Sequence, residues 1–181
     1  MNGQLVRFCQ ENHNLVAFIS HAADQRQCSN ALVLIPGLTD GFLSLPYSGP
    51  LSLALHQADY SLVLVNLSSS WSQYGFRSLS SDSRELGKLV AFLKTLDFKK
   101  IVLLGHSTGA QDLLYFLRYS ESEVTNLVNG IILQGAVSDR EGLYGEEIGL
   151  MIHEAKELLA EGKGDTILSW KLHNAPITAY R

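Results

Sequence analysis

The chain has 181 residues, a formal net charge of −4, 46% hydrophobic and 18% charged residues. That length supports one domain with a real core, and the composition is that of a globular rather than a disordered chain. The scattered Lys and Arg form no basic patch for nucleic acid, no apolar run approaches the ~20 residues of a membrane span, and the N-terminus lacks an apolar signal core. A cytoplasmic protein with neither nucleic-acid nor membrane partner is expected.

Gln4–Cys9 and Leu15–Ser20 are short apolar-rich runs separated by Glu11-Asn12-His13-Asn14, the pattern of an antiparallel edge hairpin. His13 belongs to that turn and reads as solvated. Cys9 and Cys28 have no Cys-x-x-Cys or Cys/His spacing around them, so two free thiols and no metal are expected. The run Ala31–Ile35 is apolar and short enough for a buried central strand. It opens into Pro36-Gly37-Leu38-Thr39-Asp40-Gly41, a turn whose backbone N–H groups are available to face a ligand.

Pro46–Gln57 reads as a helix beginning near Pro50, and Ser61–Asn66 as a second buried strand. Asn66-Leu67-Ser68 spells a glycosylation sequon, without functional meaning where no secretory signal is seen. Leu67–Ser78 is loop-like and carries Trp71, Tyr74 and Phe76 among small polar residues, a composition that suits a pocket wall as well as ordinary packing. Asp82–Leu96 is amphipathic, with Asp82 and Glu85 as its capping box and Leu86, Leu89, Val90, Leu93 and Leu96 on one face.

The apolar run Ile101–Leu104 then enters Gly105-His106-Ser107-Thr108-Gly109. Ala110, Leu113, Leu114 and Leu117 follow at helical spacing. Strand, tight turn with serine, then helix is the context of a nucleophile elbow. A serine presented on so sharp a turn is expected at positive φ, and its neighbours two residues away on either side must be small because strand and helix approach there. Thr108 starts the helix, so its N–H is an unpaired first-turn donor, aimed with the helix dipole at any developing anion. In a hydrolase the second such donor would come from Leu38.

Tyr119–Asn129 reads as a loop in which Val124, Leu127 and Val128 form a short helical turn, and Gly130–Gly135 as one more buried strand. Asp139 follows that strand's carboxyl end, the side on which open parallel sheets bind ligands. Glu146–Ala160 is a helix with Ile148, Met151, Ile152, Ala155, Leu158 and Leu159 on one face and His153 on the solvated side. The tail offers a short helix near Thr166–Leu172. Neither repeat nor linker divides the chain, so residues 1–181 are one α/β domain with a mostly parallel sheet and helices on both faces.

Ile35-Pro36-Gly37-Leu38-Thr39-Asp40-Gly41, Pro46-Tyr47, Gly105-His106-Ser107-Thr108-Gly109 and Leu133–Glu141 together resemble the DUF1749 family of the α/β-hydrolase superfamily, which is similar to fungal esterases of fusarinine-type siderophores. The resemblance runs along essentially the whole chain. It implies a serine hydrolase of small-molecule carboxylic esters or related acyl bonds, with no cofactor. It also implies that this is the N-terminal portion of a longer domain. The family's sheet has eight strands, six are counted here, and its base histidine is expected after the last of them. The order Ser…Asp…His is filled formally by Ser107, Asp139 and His173, although His173 precedes the strands that normally deliver the base.

The expectation is therefore an esterase-type protein whose 181 residues turn over weakly or not at all. A hydrolase-like binding or regulatory protein is the alternative, and an unstable form without function of its own a third. A sheet ending two strands early would leave an apolar edge open to self-association.

Overall fold

The computed structural model describes residues 1–10, 15–138, 145–172 and 175–180. His13, Asp139 and His173 lie outside the described residues. β1 (Asn2–Arg7) and β2 (Val16–His21) pair antiparallel with Arg7 opposite Val16. β2 pairs antiparallel with β4 (Tyr60–Asn66), while β3 (Asn30–Ile35), β5 (Lys100–His106) and β6 (Gly130–Gln134) run parallel to β4. The order β1-β2-β4-β3-β5-β6 makes one six-stranded sheet, as expected, with the antiparallel pair at one edge.

Strand side chains alternate between faces, and both faces of the central strands are apolar. Ala31, Val33 and Ile35 join Ile101 and Leu103 on one face. The helices α2 (Leu79–Thr95) and α3 (Thr108–Tyr119) cover it with Leu86, Leu89, Val90, Leu93, Leu113 and Phe116. Leu32, Leu34, Leu62, Leu64 and Leu104 form the other face, beneath Leu51 and Leu55 of α1 (Ser48–Gln57). Cys9 and Cys28 are free thiols, both buried. A single turn of helix, α4 (Ser122–Thr125), stands where Val124 was expected to pack.

Four expectations need correction. α2 begins three residues earlier than its hydrophobic pattern suggests. Its cap is Ser78, whose hydroxyl accepts the Ser81 N–H while the Ser81 hydroxyl accepts the Ser78 N–H. Asp82 and Glu85, expected to form that box, are instead buried inside the molecule. A serine does a carboxylate's work here because the chain enters the helix extended at Ser78, which aims its short side chain at the first open amides.

The loop after β4 is not irregular throughout. Trp71–Phe76 forms a 3-10 helix.

β6 is not buried: Ile131, Ile132 and Leu133 are 38%, 44% and 42% exposed, because β6 ends the sheet and pairs on one side only.

The tail is not helical. β7 (Ile167–Leu172) and β8 (Ala175–Thr178) pair antiparallel as a separate two-stranded sheet. Two-residue alternation wins there because Leu168 and Ile177 meet Met151, Ala155 and Leu158 of α5 (Glu146–Ala160). The Thr178 hydroxyl donates to the Gly75 carbonyl at 3.1 Å, tying the hairpin to the 3-10 helix. Ile152 and Leu159 stay exposed, so α5 uses only part of its apolar face. His153 lies on the solvated side, 3.3 Å from the Glu157 carboxylate. Among the described residues no helix is long and apolar enough to cross a membrane.

Candidate active site

β5 ends and α3 begins at a kink centred on Ser107, with φ +54° and ψ −119°. A non-glycine residue at such angles costs about 1–3 kcal/mol, and the surroundings must impose it. They do so from both sides. The Ser107 N–H donates to the Gln134 carbonyl of β6 at 2.9 Å, and the Ser107 carbonyl accepts the Ala110 N–H at 3.0 Å. A β-carbon on Gly105 would strike the Gly109 carbonyl, and one on Gly109 would lie 2.5 Å from the Ile35 carbonyl oxygen. The two glycines are thus what lets strand and helix close up beneath the serine. Ser107 itself is half-buried.

The loop after β3 comes to the same point. A β-carbon on Gly37 would stand 3.0 Å from the Ser107 β-carbon and 3.4 Å from the His106 carbonyl oxygen, so only the bare backbone fits beside the serine. Asp40 shapes this loop: its carboxylate accepts the Gly37 N–H at 3.2 Å and its backbone N–H donates to the Gly37 carbonyl at 3.1 Å. Thr39, between them, takes φ +69°. The Asp40 carbonyl accepts the Trp71 N–H at 3.0 Å, so the 3-10 helix braces the loop.

Leu38 and Thr108 line one small cavity of about 20 Å³, together with Gly37, Tyr74, Asp82 and Asp112. That is room for a single water in polar surroundings. Among the described residues neither the Leu38 nor the Thr108 backbone N–H donates to a protein acceptor.

Two further connections were not read from the sequence. Glu85, buried on α2, accepts from the Ser68 N–H at 2.8 Å and from the Ser68 hydroxyl at 2.5 Å, which fixes the start of the loop after β4. On the α1 side of the sheet rim, the Tyr47 hydroxyl donates to Oε1 of Gln134 at 2.5 Å, and Nδ1 of His106 lies 3.2 Å from the same oxygen. Burial raises the Tyr47 phenol above its ordinary value, which keeps it a donor. Tyr47 and Gln134 sit in stretches with a recognisable motif, but nothing in their spacing ties them to each other.

The structure therefore brings Ser107, Thr108 and Leu38 to one place. Among the described residues no side chain hydrogen-bonds the Ser107 hydroxyl, and His106 turns its ring toward Gln134.

Residues 2–181 match the family described as "Protein of unknown function (DUF1749)". The chain is 37% identical over 147 residues to UPF0613 protein PB24D3.06c of Schizosaccharomyces pombe, covering 76% of this chain and 46% of that protein. It is 30% identical over 158 residues to the fusarinine C esterase sidJ of Aspergillus fumigatus, covering 75% and 41% respectively. Among solved structures, the siderophore hydrolase EstB from Aspergillus fumigatus superposes with a TM-score of 0.71 at 25% identity, over 100% of this chain and 62% of that one. An α/β-hydrolase fold protein of unknown function superposes with a TM-score of 0.72 at 24% identity, over 100% and 61%. The chain thus spans less than half the length of these curated relatives.

Proposed function

The chain belongs to the DUF1749 family and has the α/β-hydrolase fold, and from that premise we propose that it is built to cleave small-molecule carboxylic esters through Ser107. It is an esterase-like α/β hydrolase related to siderophore esterases. The observation that carries the reading is the enforced kink at Ser107, φ +54°, with the bare Gly37 backbone against its β-carbon.

In this reading the Ser107 oxygen attacks the ester carbonyl carbon. The new C–O bond pushes an electron pair onto the carbonyl oxygen, where the Leu38 and Thr108 N–H groups hold it, helped by the N-terminal end of α3. The carbonyl re-forms, the ester C–O bond breaks, and the alcohol leaves with the proton first taken from the serine. Water then attacks the acyl-serine by the same route and releases the acid. A histidine is the usual carrier of that proton, with an acid behind it. His173 and Asp139 remain the formal candidates within the sequence.

No described residue accepts the Ser107 proton, so we expect these 181 residues to turn over esters slowly. Enzymes lacking a triad member keep only about 10³–10⁴-fold over water. The test is to incubate the chain with p-nitrophenyl acetate and weigh it intact. An acetyl adduct that maps to Ser107 and is absent in Ser107→Ala supports the reading. Adducts spread over lysines and unchanged in Ser107→Ala would refute it. A binding protein of the same shape would give that second result while keeping affinity for an unreactive ester analogue.

A further inference from the structure

The helices α2 and α3 meet where the Ser83 and Ser120 hydroxyls stand 2.9 Å apart. Beside that contact they leave an open cleft of about 520 Å³. This is the size of small-molecule sites, roughly 300–1,000 Å³, whereas the cavity of about 20 Å³ beside Leu38 and Thr108 has room for a single water. No residue lines both, so the cleft is separate from the candidate active site.

Gly87, in the interior of α2, borders the cleft. Glycine weakens a helix interior relative to alanine, and packing does not demand it here. An added β-carbon would stand 3.6 Å from Val124 and 3.9 Å from Phe116, which are ordinary contact distances. What the missing side chain does is keep the cleft open.

The two walls differ in chemistry. α2 contributes Arg84 and Lys88, one helical turn apart and both exposed. Like charges at that spacing repel each other. Nζ of Lys88 donates to Cys9 Sγ at 3.5 Å, but among the described residues the Arg84 guanidinium has no hydrogen-bond or ion-pair partner. Glu121 is the one carboxylate that lines the cleft. The cleft is thus net positive on a chain whose formal net charge is −4. α3 contributes Tyr115 and Tyr119, again one turn apart, with ring centroids 4.5 Å apart and planes tilted by 43°. The Arg118 guanidinium lies over the Tyr119 ring, 5.5 Å from its centroid, and steadies an otherwise exposed side chain.

One kind of ligand answers both walls. A flat aromatic body gains contact with the tyrosine rings. A carboxylate attached to it gives Arg84 the two parallel acceptors that a guanidinium fits. An aliphatic anion would leave the rings unused, and a neutral aromatic would leave the charge unanswered. We propose that the cleft between α2 and α3 is a second ligand site, selective for small aromatic carboxylates. It stands independently of the reading of Ser107 as nucleophile.

Calorimetric titration of the 181-residue chain with 2-naphthoate tests this, with 2-naphthamide as an uncharged ligand of the same shape. Naphthoate is expected to bind with a dissociation constant on the order of 0.1 mM, and naphthamide at least about tenfold more weakly. Arg84→Gln should weaken naphthoate about tenfold, the scale of a hydrogen bond to a charged group. Tyr119→Leu, which keeps an apolar body but removes the ring face, should weaken it about threefold. Arg84 and Tyr119 are exposed, so both variants keep the core intact. Gly87→Leu, which fills the cleft, should abolish binding, and Ser107→Ala should leave it unchanged. The proposal is overturned if naphthoate shows no saturable binding up to about 1 mM, or if naphthamide binds equally well. It is also overturned if Arg84→Gln or Tyr119→Leu binds naphthoate as the unaltered chain does. Loss of binding in Ser107→Ala would place the ligand beside the serine and overturn it as well.

Discussion

The carbonyl oxygen of Ile35 lies 2.5 Å from the point where a β-carbon on Gly109 would stand, and that of Pro36 lies 2.6 Å away. Both obstacles are backbone, so neither can rotate aside. Gly109→Ala must push α3 away from the end of β3, the two elements that bring Thr108 and Leu38 together. Overpacking of this kind costs about 1–3 kcal/mol, and the urea midpoint is expected to fall accordingly. Gly149→Ala is the contrast. That glycine lies within α5, where an added β-carbon would meet nothing inside 4 Å, and alanine is the better helix former by up to about 1 kcal/mol. Its midpoint should hold or rise.

The start of α2 offers a second test. Ser78, not Asp82, caps this helix. Ser78→Ala is expected to cost about 1 kcal/mol in urea or thermal unfolding. A Ser78→Asp form, which restores an acceptor and adds charge suited to the helix dipole, should recover most of that loss. Equal stability of Ser78→Ala and the unaltered chain would show that the capping contact contributes nothing.

The helix layer over β3 and β5 is stabilised by buried leucines, and the loss should track burial rather than residue type. Leu93 has no exposed surface, whereas Leu150 on α5 is 56% exposed. Leu93→Ala is expected to cost about 2–5 kcal/mol through lost burial and the cavity left behind. Leu150→Ala should fall within about 0.5 kcal/mol of the unaltered chain. Chemical denaturation of the pair checks both values in one series.

A pH effect follows from His56. Its Nε2 lies 2.9 Å from the hydroxyl of fully buried Ser20, which also accepts the Leu62 N–H at 2.8 Å. Burial first, then the neighbouring His21 and Arg26, lower the His56 imidazole below its ordinary value. The folded chain thus takes up a proton there less readily than the unfolded chain. The stability it contributes is present in full above the unfolded value of about 6.5 and is lost as pH falls below it. Unfolding midpoints measured from about pH 7.5 down to about 5.5 should decline across that window, and His56→Gln should decline less steeply. A parallel decline in both would assign the effect to other groups.

The elbow was legible in the sequence because its constraint is local. Gly105, Ser107 and Gly109 lie within one turn, and the strand and helix on either side carry their own periodicities. The parallel sheet was legible for a related reason, since strands buried on both faces must be apolar without interruption. What sequence reasoning missed depends on contacts between distant segments. Asp82 and Glu85 have the spacing of a capping box, but tertiary packing draws both inside, where Glu85 serves Ser68. Thr166–Leu172 has short-range helical character, yet pairing with Ala175–Thr178 and packing on α5 decide it as a strand. Gln134 reads as part of a buried strand, Gly130–Gly135, and only the approach of Tyr47, the residue before α1, gives its amide a partner. Asp139 and His173 lie outside the described residues, and their roles stand as the sequence proposed them.

The most direct measurement is covalent labelling with a fluorophosphonate, which bonds to a presented serine, quickly where a base activates it and slowly where none does. Slow labelling confined to Ser107 over a long incubation is expected, lost in Ser107→Ala and diminished in Gly109→Ala, which displaces the elbow. A folded chain that stays unlabelled at Ser107, or that labels equally well without it, would contradict the claim that this kink exists to present a nucleophile.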